Sequence, residues 1–264
     1  MIALLDDIQL GYDDAGAGLP VVFVHGFPHS RALWAPQLSA LVDRCRAIAP
    51  DLRGFGESTA QGPWTMDRYA EDIVGLLDLL DVRQAVIAGL SMGGYVAFAL
   101  WRRFPERVRA LVLCDTRAGA DTEEGREKRR ALIATARERG SSAVADSQLT
   151  GMIGKTTREK FPEIAESVRE MMVAAPVEGI IGGLEAMMAR PDSTPTLGTI
   201  TVPTLIVVGD EDALTPPKEA RAMHAAIPGS QLEVIERAGH VSNLERPAAF
   251  NHVLSEFLAR LTYA

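Results

Sequence analysis

The sequence predicts an α/β protein in which a mostly parallel sheet carries helices on both faces. Short apolar runs alternate along the chain with amphipathic stretches, whose apolar residues recur at three- and four-residue spacing. Strand–helix alternation of this kind builds a parallel sheet that is covered on both sides. The predicted strands are Val21–Val24, Cys45–Ala49, Ala85–Ala88, Val108–Cys114, Thr204–Val208 and Gln231–Ile235.

Amphipathic stretches between these runs predict the helices that cover the sheet. They are Trp34–Val42, Met66–Leu80, Gly94–Phe104, Pro217–Ile227 and Pro247–Leu261. Near the start of the chain, Leu10–Asp13 precedes the turn-like run DAGAG and can add an antiparallel edge hairpin.

One long segment interrupts the alternation. From Thr116 to about Leu197 no convincing strand occurs, and the residues favour helices. We therefore expect a core domain of residues 1–115 and 198–264, with a helical cap insertion of residues 116–197. Methionines in the insertion either pack in its own core or form a deformable apolar lining over a substrate pocket. These methionines are Met152, Met171, Met172, Met187 and Met188.

Composition limits the possible partners. The chain has 264 residues and a formal net charge of -8, which argues against nonspecific binding to nucleic acid or anionic membranes. Met1–Leu10 lacks a basic leader region, and no apolar stretch is long enough to span a bilayer. Cys45 and Cys114 are expected to be free buried thiols. We expect a cytoplasmic protein that needs neither a metal nor another cofactor.

Ser91 lies in the run GLSMGG (Gly89–Gly94), between a predicted strand and a predicted helix. A serine on so tight a turn presents its hydroxyl above the sheet edge, and small neighbours relieve the crowding. This is the arrangement that a serine nucleophile needs. The alternative is an ordinary glycine-rich turn in which the serine caps the following helix.

His240 is the best candidate for the base that such a serine requires. It follows a predicted strand in the flexible run RAGHVSN (Arg237–Asn243), just before the last helix. His29, His224 and His252 lie in loop-like or helix-like runs, and we expect them to be solvated or packed.

The acid that orients the base is expected on a loop at the carboxyl end of a strand. The loop after Thr204–Val208 offers three carboxylates, and Asp212 is chosen because it lies deepest in the loop. Asp115, which follows the fourth predicted strand, is a competitor. The order Ser91, Asp212, His240 is the order expected for a nucleophile on a strand-to-helix turn of such a sheet.

Two backbone N–H groups are candidates to bind the oxyanion of a tetrahedral intermediate. One belongs to Met92, the residue after the candidate nucleophile. The other belongs to Phe27 in the run HGFP (His25–Pro28), which follows the first predicted strand. Each such donor typically contributes about 3–4 kcal/mol of transition-state stabilisation. His25 is expected to hold this loop rather than act as a base.

These features together resemble the α/β-hydrolase superfamily, and the resemblance covers almost the whole chain. It implies an eight-stranded sheet with a helical cap and a triad of Ser91, His240 and Asp212. The motifs that carry it are HGFP at His25–Pro28, DLRGFGES at Asp51–Ser58, GLSMGG at Gly89–Gly94, GDED at Gly209–Asp212 and AGH at Ala238–His240.

Within the superfamily, the chain is similar to small bacterial serine carboxylesterases and to 3-oxoadipate enol-lactonases. The segment LCDTRAG (Leu113–Gly119), which opens the cap, is of that type. The HGFP run followed by Trp34 also resembles epoxide hydrolases and haloalkane dehalogenases. Those enzymes use an aspartate nucleophile where this chain has Ser91, so we set them aside.

The resulting prediction is a serine hydrolase that cleaves carboxylic esters through an acyl-enzyme on Ser91. Its partner is a small-molecule ester or lactone, and the Met-rich cap favours short to medium acyl chains. A 3-oxoadipate enol-lactonase is the first alternative, and its anionic substrate would require a cation from Arg117 or the cap arginines. Hydrolysis of carbon–carbon bonds in dienoate ring-cleavage products is a weaker one. The alternative of another class is a ligand-binding signalling receptor of the same fold with little turnover.

Overall fold

One eight-stranded sheet forms the centre of the computed structural model, which describes residues 1–262. Its strands are β1 (Ile2–Leu4), β2 (Gln9–Gly16), β3 (Pro20–Val24), β4 (Arg46–Pro50), β5 (Ala85–Leu90), β6 (Val108–Cys114), β7 (Thr204–Gly209) and β8 (Gln231–Ile235). Their order across the sheet is β1-β2-β4-β3-β5-β6-β7-β8. Strands β3 to β8 pair in parallel, whereas β2 is antiparallel to both β1 and β4. The predicted mostly parallel sheet is confirmed.

The central strands are buried on both faces, which explains their continuous apolar sequences. All six residues of β5 and all six of β7 are buried. By contrast, the edge strand β8 is only partly buried, and it includes the exposed neighbours Glu233 and Val234. Each predicted strand appears, with ends that differ from the prediction by no more than two residues.

The chain reverses its direction of growth across the sheet at β3, which lies between β4 and β5. A crevice forms at such a point, because the loops at the carboxyl ends of the two flanking halves diverge there. Strands β3 and β5 end level with each other, since Val24 is paired with Gly89. The loops that follow them therefore begin side by side.

Helices cover both faces of the sheet, as the periodicity predicts. The helices are α1 (Ala35–Leu41), α2 (Met66–Leu79), α3 (Met92–Arg103), α4 (Glu123–Met152), α5 (Lys155–Lys160), α6 (Pro162–Val173), α7 (Val177–Ala189), α8 (Thr194–Leu197), α9 (Pro217–Ala226), α10 (Ser242–Glu245) and α11 (Pro247–Thr262), with single 3-10 turns at Arg31–Trp34 and Pro105–Arg107. Buried residues of α2, α3 and α9 pack on one face, and those of α1 and α11 pack on the other.

The antiparallel edge hairpin is formed, but its turn lies elsewhere than the sequence suggests. Strand β2 continues to Gly16, so three residues of the run DAGAG belong to a strand. The hairpin turn precedes β2, where the N–H of Leu5 donates to the carbonyl of Ile8. Pairing with β4 on its other side explains why β2 extends beyond the predicted Asp13.

Helices α4 to α8 fill the segment between β6 and β7. Helix α4 packs against α6 and α7 and is interrupted at Gly140, whose φ of 75° is not helical. The division into a core and a cap of residues 116–197 stays a prediction. Within residues 1–262, no single helix is long and apolar enough to cross a membrane. The pair α6 and α7, bent by 94°, meets the requirement only jointly, by length and composition.

Candidate active site

Ser91 lies at the turn from β5 into α3 with an unusual backbone conformation. Its φ is 53° and its ψ is -112°, and its side chain makes no capping bond to the helix. Instead, the Oγ atom lies 2.8 Å from Nε2 of His240. The alternative of a serine that merely caps the helix therefore does not describe this turn.

Two glycines make this strained turn possible. A Cβ atom on Gly89 would lie 2.2 Å from the carbonyl oxygen of Gly93, and one on Gly93 would lie 2.2 Å from the carbonyl oxygen of Val24. No side chain fits in either place without moving the backbone. The small residues of the motif thus allow the close approach of β3, β5 and α3 beneath Ser91.

His240 is buried and contacts both other members of the predicted triad. Its Nδ1 atom lies 2.8 Å from Oδ2 of Asp212, on the side of the ring opposite Ser91. Burial disfavours the charged imidazolium, but the Asp212 carboxylate outweighs this effect and raises the pKa of His240. The structure therefore brings together Ser91, His240 and Asp212 in the order that base activation of a serine requires.

The loop after β7 fixes the Asp212 carboxylate through its own backbone. Oδ1 accepts hydrogen bonds from the N–H groups of Leu214 at 2.8 Å and Thr215 at 2.9 Å. The Thr215 hydroxyl donates to Oδ2 at 2.7 Å. Burial raises the pKa of Asp212, but His240 and these hydrogen bonds together hold it below its ordinary value. Thr215 was not identified from the sequence, although its three-residue spacing from Asp212 is typical of a side-chain-stabilised turn.

Asp115, the competing acid, is fully buried but is bound to other groups. Its Oδ1 accepts from the N–H of Gly209 at 2.9 Å, and its Oδ2 accepts from the Ser242 hydroxyl at 2.5 Å. Burial raises the pKa of this carboxyl well above its ordinary value. Asp115 thus connects the end of β7 to the residues just after His240.

The predicted oxyanion donors flank Ser91. A Cβ atom on Gly26 would lie 3.2 Å from Cβ of Ser91, so the loop that carries Phe27 runs beside the turn. Met92 is the first residue of α3, where backbone N–H groups have no acceptor within the helix. Both residues are therefore near the place where an oxyanion on a Ser91 adduct would form.

His25 holds the loop that carries Phe27, as the sequence predicts. Its Nδ1 lies 2.9 Å from the carbonyl oxygen of Gly26, and its Nε2 accepts from the N–H of Leu52 at 2.9 Å. It therefore joins the HGFP loop to the DLRGFGES loop after β4. Because both ring nitrogens have structural partners, His25 is not available as the base.

A cavity of about 670 Å³ opens above Ser91 and His240, and residues of the insertion line much of its wall. Among the five methionines of the insertion, only Met152 and Met187 line this cavity. Met172 is instead packed in the core, and Met171 lines a smaller separate cavity of about 300 Å³. Met152 and Met187 themselves also belong to the buried core, so both interpretations apply to these two methionines.

Three arginines surround one buried carboxylate at the side of this cavity. Asp121 accepts from Arg117 at 2.9 Å, from Nε of Arg129 at 2.5 Å and from Arg190 at 2.8 Å. The guanidinium of Arg190 also lies 4.0 Å from the ring centre of Tyr95. Three guanidinium groups against one carboxylate leave the cluster with two positive charges in excess. Two of its arginines, Arg117 and Arg129, line the cavity. Asp121 was not predicted, and Arg129 and Arg190 were expected only as unspecified cap arginines, since of these residues only Arg117 and Asp121 are close in sequence.

Taken together, the sheet order, the strained serine and its histidine partner define a hydrolase of the α/β class. The family profile described as the alpha/beta hydrolase fold matches residues 20–247. The chain belongs to this family.

Individual relatives agree with this assignment. The chain is 32% identical over 257 residues to 3-oxoadipate enol-lactonase 2 of Acinetobacter baylyi, covering 96% of this chain and 94% of that one. A thermophilic esterase from Thermogutta terrifontis, solved with malate bound, has a TM-score of 0.94 and 42% identity, with 97% and 94% covered. The enol-lactonase from Burkholderia xenovorans has a TM-score of 0.91 and 31% identity, with 98% and 100% covered. They confirm the predicted enzyme class, a carboxylic-ester hydrolase.

Proposed function

We propose that the protein is a serine hydrolase that cleaves carboxylic esters through an acyl-enzyme on Ser91. The observation that carries this proposal is the hydrogen-bond chain from Ser91 Oγ through His240 to Asp212, with both distances at 2.8 Å. His240 takes the proton of Ser91 as Oγ attacks the ester carbonyl, and Asp212 stabilises the imidazolium that forms.

His240 then donates this proton to the leaving alcohol, which completes formation of the acyl-enzyme. In the second half of the cycle, His240 takes a proton from a water molecule that attacks the acyl carbonyl, and it returns that proton to Ser91 Oγ as the bond to the acyl group breaks and the acid leaves. The N–H groups of Phe27 and Met92 bind the oxyanion in both tetrahedral intermediates. Neither step needs a group beyond those of the chain, the ester and water.

A panel of p-nitrophenyl esters with acyl chains from acetate to decanoate tests this function. We expect turnover with a preference for short to medium chains, because the cavity of about 670 Å³ is bounded by the insertion. Turnover below about one per minute on the whole panel, combined with tight binding of one of these ligands, would instead support the receptor alternative. Typical enzymes turn over at about 1–10³ s⁻¹, which separates the two outcomes clearly.

A lactonase acting on a carboxylate-bearing lactone of the 3-oxoadipate enol-lactone type is the second candidate. The specific observation in its favour is the arginine cluster on the cavity wall. Nε of Arg117 has no hydrogen-bond partner among the described residues. The side chains of Arg117 and Arg129 are only partly buried, with exposures of 31% and 20%. Partly buried positive charge in excess of its carboxylate partners needs an anion to offset its desolvation. A substrate carboxylate at Arg117 and Arg129 would meet that need, and the ring-opening of a lactone uses the same Ser91 chemistry.

Replacing Arg117 with glutamine tests whether this wall recognises a substrate carboxylate. We expect KM for the enol-lactone and for monoalkyl esters of dicarboxylic acids to rise about 10-fold to 100-fold, since a charge-assisted hydrogen bond contributes about 1.5–3 kcal/mol. Neutral esters of equal length should show nearly unchanged KM. Steady-state kinetics on matched neutral and anionic esters provides the measurement.

Arg126→Gln is the matched control for this prediction, because Arg126 lies on α4 outside the cavity and pairs with Glu123. If Arg117→Gln changed KM equally for neutral and anionic esters, carboxylate recognition at this wall would be excluded.

A further inference from the structure

A buried carboxylate connects the insertion directly to the loop that carries His240. Glu245, at the end of α10, is 2% exposed. Its Oε1 accepts from the N–H of Gly239 at 2.8 Å, and its Oε2 accepts from the N–H of Gly154 at 3.0 Å. Gly239 directly precedes His240, whereas Gly154 belongs to the insertion. One side chain therefore holds two segments that are far apart in sequence.

The same insertion segment contacts the base itself. The N–H of His240 donates to the carbonyl of Met152 at 2.9 Å, and Met152 also lines the cavity above Ser91. We call residues 152–157 the clamp segment. Its first residue thus lines the cavity and also binds the backbone of the candidate base.

The clamp segment and the His240 loop touch backbone to backbone. A Cβ atom on Gly154 would lie 2.7 Å from the backbone nitrogen of Gly239, and one on Gly239 would lie 2.2 Å from that of Gly154. Glycine is needed on both sides for the carboxylate to reach both N–H groups. The contact is therefore specific to this pair of residues rather than a general packing of two loops.

We propose that Glu245 is a positioning residue for the base, which fixes the orientation of His240 by holding Gly239 against the clamp segment. This inference rests on the proposed function, because it concerns the base of that reaction. Glu245 binds backbone groups and touches neither substrate nor the reacting atoms. Its charge also contributes to the raised pKa of His240, although less than that of Asp212. Because Met152 also binds the backbone of His240, the position of the insertion and the orientation of His240 depend on the same contact.

Chemical reasoning supports a positional role for this carboxylate. Burying a carboxyl group is unfavourable unless hydrogen bonds compensate it. Burial raises the pKa of Glu245, and hydrogen bonds from Thr157, Gly239 and Gly154 oppose that rise. Glutamine has the same shape but only one acceptor oxygen, so its NH2 group would face one of the two N–H donors. The substitution breaks one side of the connection without leaving a cavity.

Glu245→Gln tests the proposal, with Glu211→Gln as the matched control. Glu211 also binds the clamp segment, through the N–H of Thr156 at 2.7 Å, but it does not hold Gly239. We expect Glu245→Gln to lower kcat/KM and the rate of Ser91 labelling by a fluorophosphonate about 10-fold to 100-fold, as misplacement of a reacting group does. For Glu211→Gln, kcat/KM and the labelling rate should stay within about threefold of the wild-type values, which corresponds to less than about 1 kcal/mol in the activation free energy.

A second readout separates positioning from general loosening. An alkyl ester needs a proton from His240 on its leaving alkoxide, whereas p-nitrophenolate leaves without one. Glu245→Gln should therefore slow an alkyl ester more than the p-nitrophenyl ester of the same acid, with all rates expressed per titrated Ser91. Unchanged rates per active site, even with a lower melting temperature, would overturn the proposal. Equal losses in both glutamine variants would overturn it as well.

Gly154→Ala decides the question if Glu245→Gln does not fold. The added methyl group would lie 2.7 Å from both the Gly239 nitrogen and Oε2 of Glu211, and 3.0 Å from Oε2 of Glu245. It would therefore push the clamp segment away from Gly239 without changing the Glu245 side chain itself. Gly151→Ala is its control, because a Cβ there would meet only the flexible Leu214 side chain, at 3.2 Å. We expect the alanine at 154, but not the one at 151, to slow Ser91 labelling about tenfold or more, and equal rates in both would contradict the proposal. A wild-type protein that neither labels nor hydrolyses would refute the proposed function itself.

Discussion

Ser91→Ala should lower kcat for ester hydrolysis roughly a million-fold, the loss seen when a triad serine is removed. Without Oγ no acyl-enzyme can form, and His240 loses the group that it is placed 2.8 Å away to deprotonate. Fold and melting temperature should change little, because the Ser91 side chain makes no capping bond to α3. Stopped assays on the best p-nitrophenyl ester, together with mass spectrometry of a fluorophosphonate adduct, provide the measurement.

Ser141→Ala is a suitable control for this variant. Ser141 lies in the insertion, and its hydroxyl donates to the carbonyl of Val173 at 2.7 Å, away from the cavity. Its loss should leave kcat within about twofold. Ester hydrolysis that persists at the wild-type rate in Ser91→Ala would show that another group is the nucleophile.

The architecture could be predicted because it depends on patterns that are local in sequence. Strand β5 is a short apolar run followed at once by a glycine-rich turn, and α2 repeats its buried residues every three or four positions. Such signals do not depend on distant contacts. Where a distant contact matters, the observed element differs from the predicted one. Strand β2 extends beyond the predicted Asp13 because β4, some thirty residues later, provides its hydrogen-bond partners.

The residues that support the candidate site are harder to predict for the same reason. Glu245 binds Gly154 across 91 positions, and Arg190 binds Asp121 across 69. No local spacing records these contacts, since each partner lies on a different element. Ser91, His240 and Phe27 were accessible to prediction only because each follows a recognisable strand or lies in a short motif. The polar groups that hold them in place have no such motif.

Local sequence patterns do not decide between Asp212 and Asp115 as the acid that orients His240. Both aspartates follow a strand of the parallel sheet, so both are expected at the same edge. Their side chains differ in direction. Asp212 reaches Nδ1 of His240, whereas Asp115 is occupied by Gly209 and Ser242. This difference leads to opposite expectations for two otherwise identical substitutions.

Asp212→Asn should lower kcat about 10⁴-fold, as the same change does in Ser-His-Asp triads. The asparagine can turn its NH2 group towards Nδ1 of His240, which places the imidazole proton on Nε2, facing Ser91 instead of accepting from it. Loss of the carboxylate also removes the main group that raises the pKa of His240. Only the neutral imidazole acts as a base, so activity is lost as the pH drops below the pKa of His240. Because the substitution lowers this pKa, the acid limb of the kcat/KM profile should move to lower pH.

Asp115→Asn should reduce kcat less than about tenfold, because an amide can still accept from Gly209 and does not face the imidazole. A smaller shift of the acid limb in the same direction is expected, since Asp115 contributes less than Asp212 to the raised pKa of His240. Kinetics of both variants from pH 5 to 9 decide the assignment. Full activity in Asp212→Asn with loss in Asp115→Asn would transfer the role of the acid to Asp115, and the hydrogen bond between His240 and Asp212 would then have no part in catalysis.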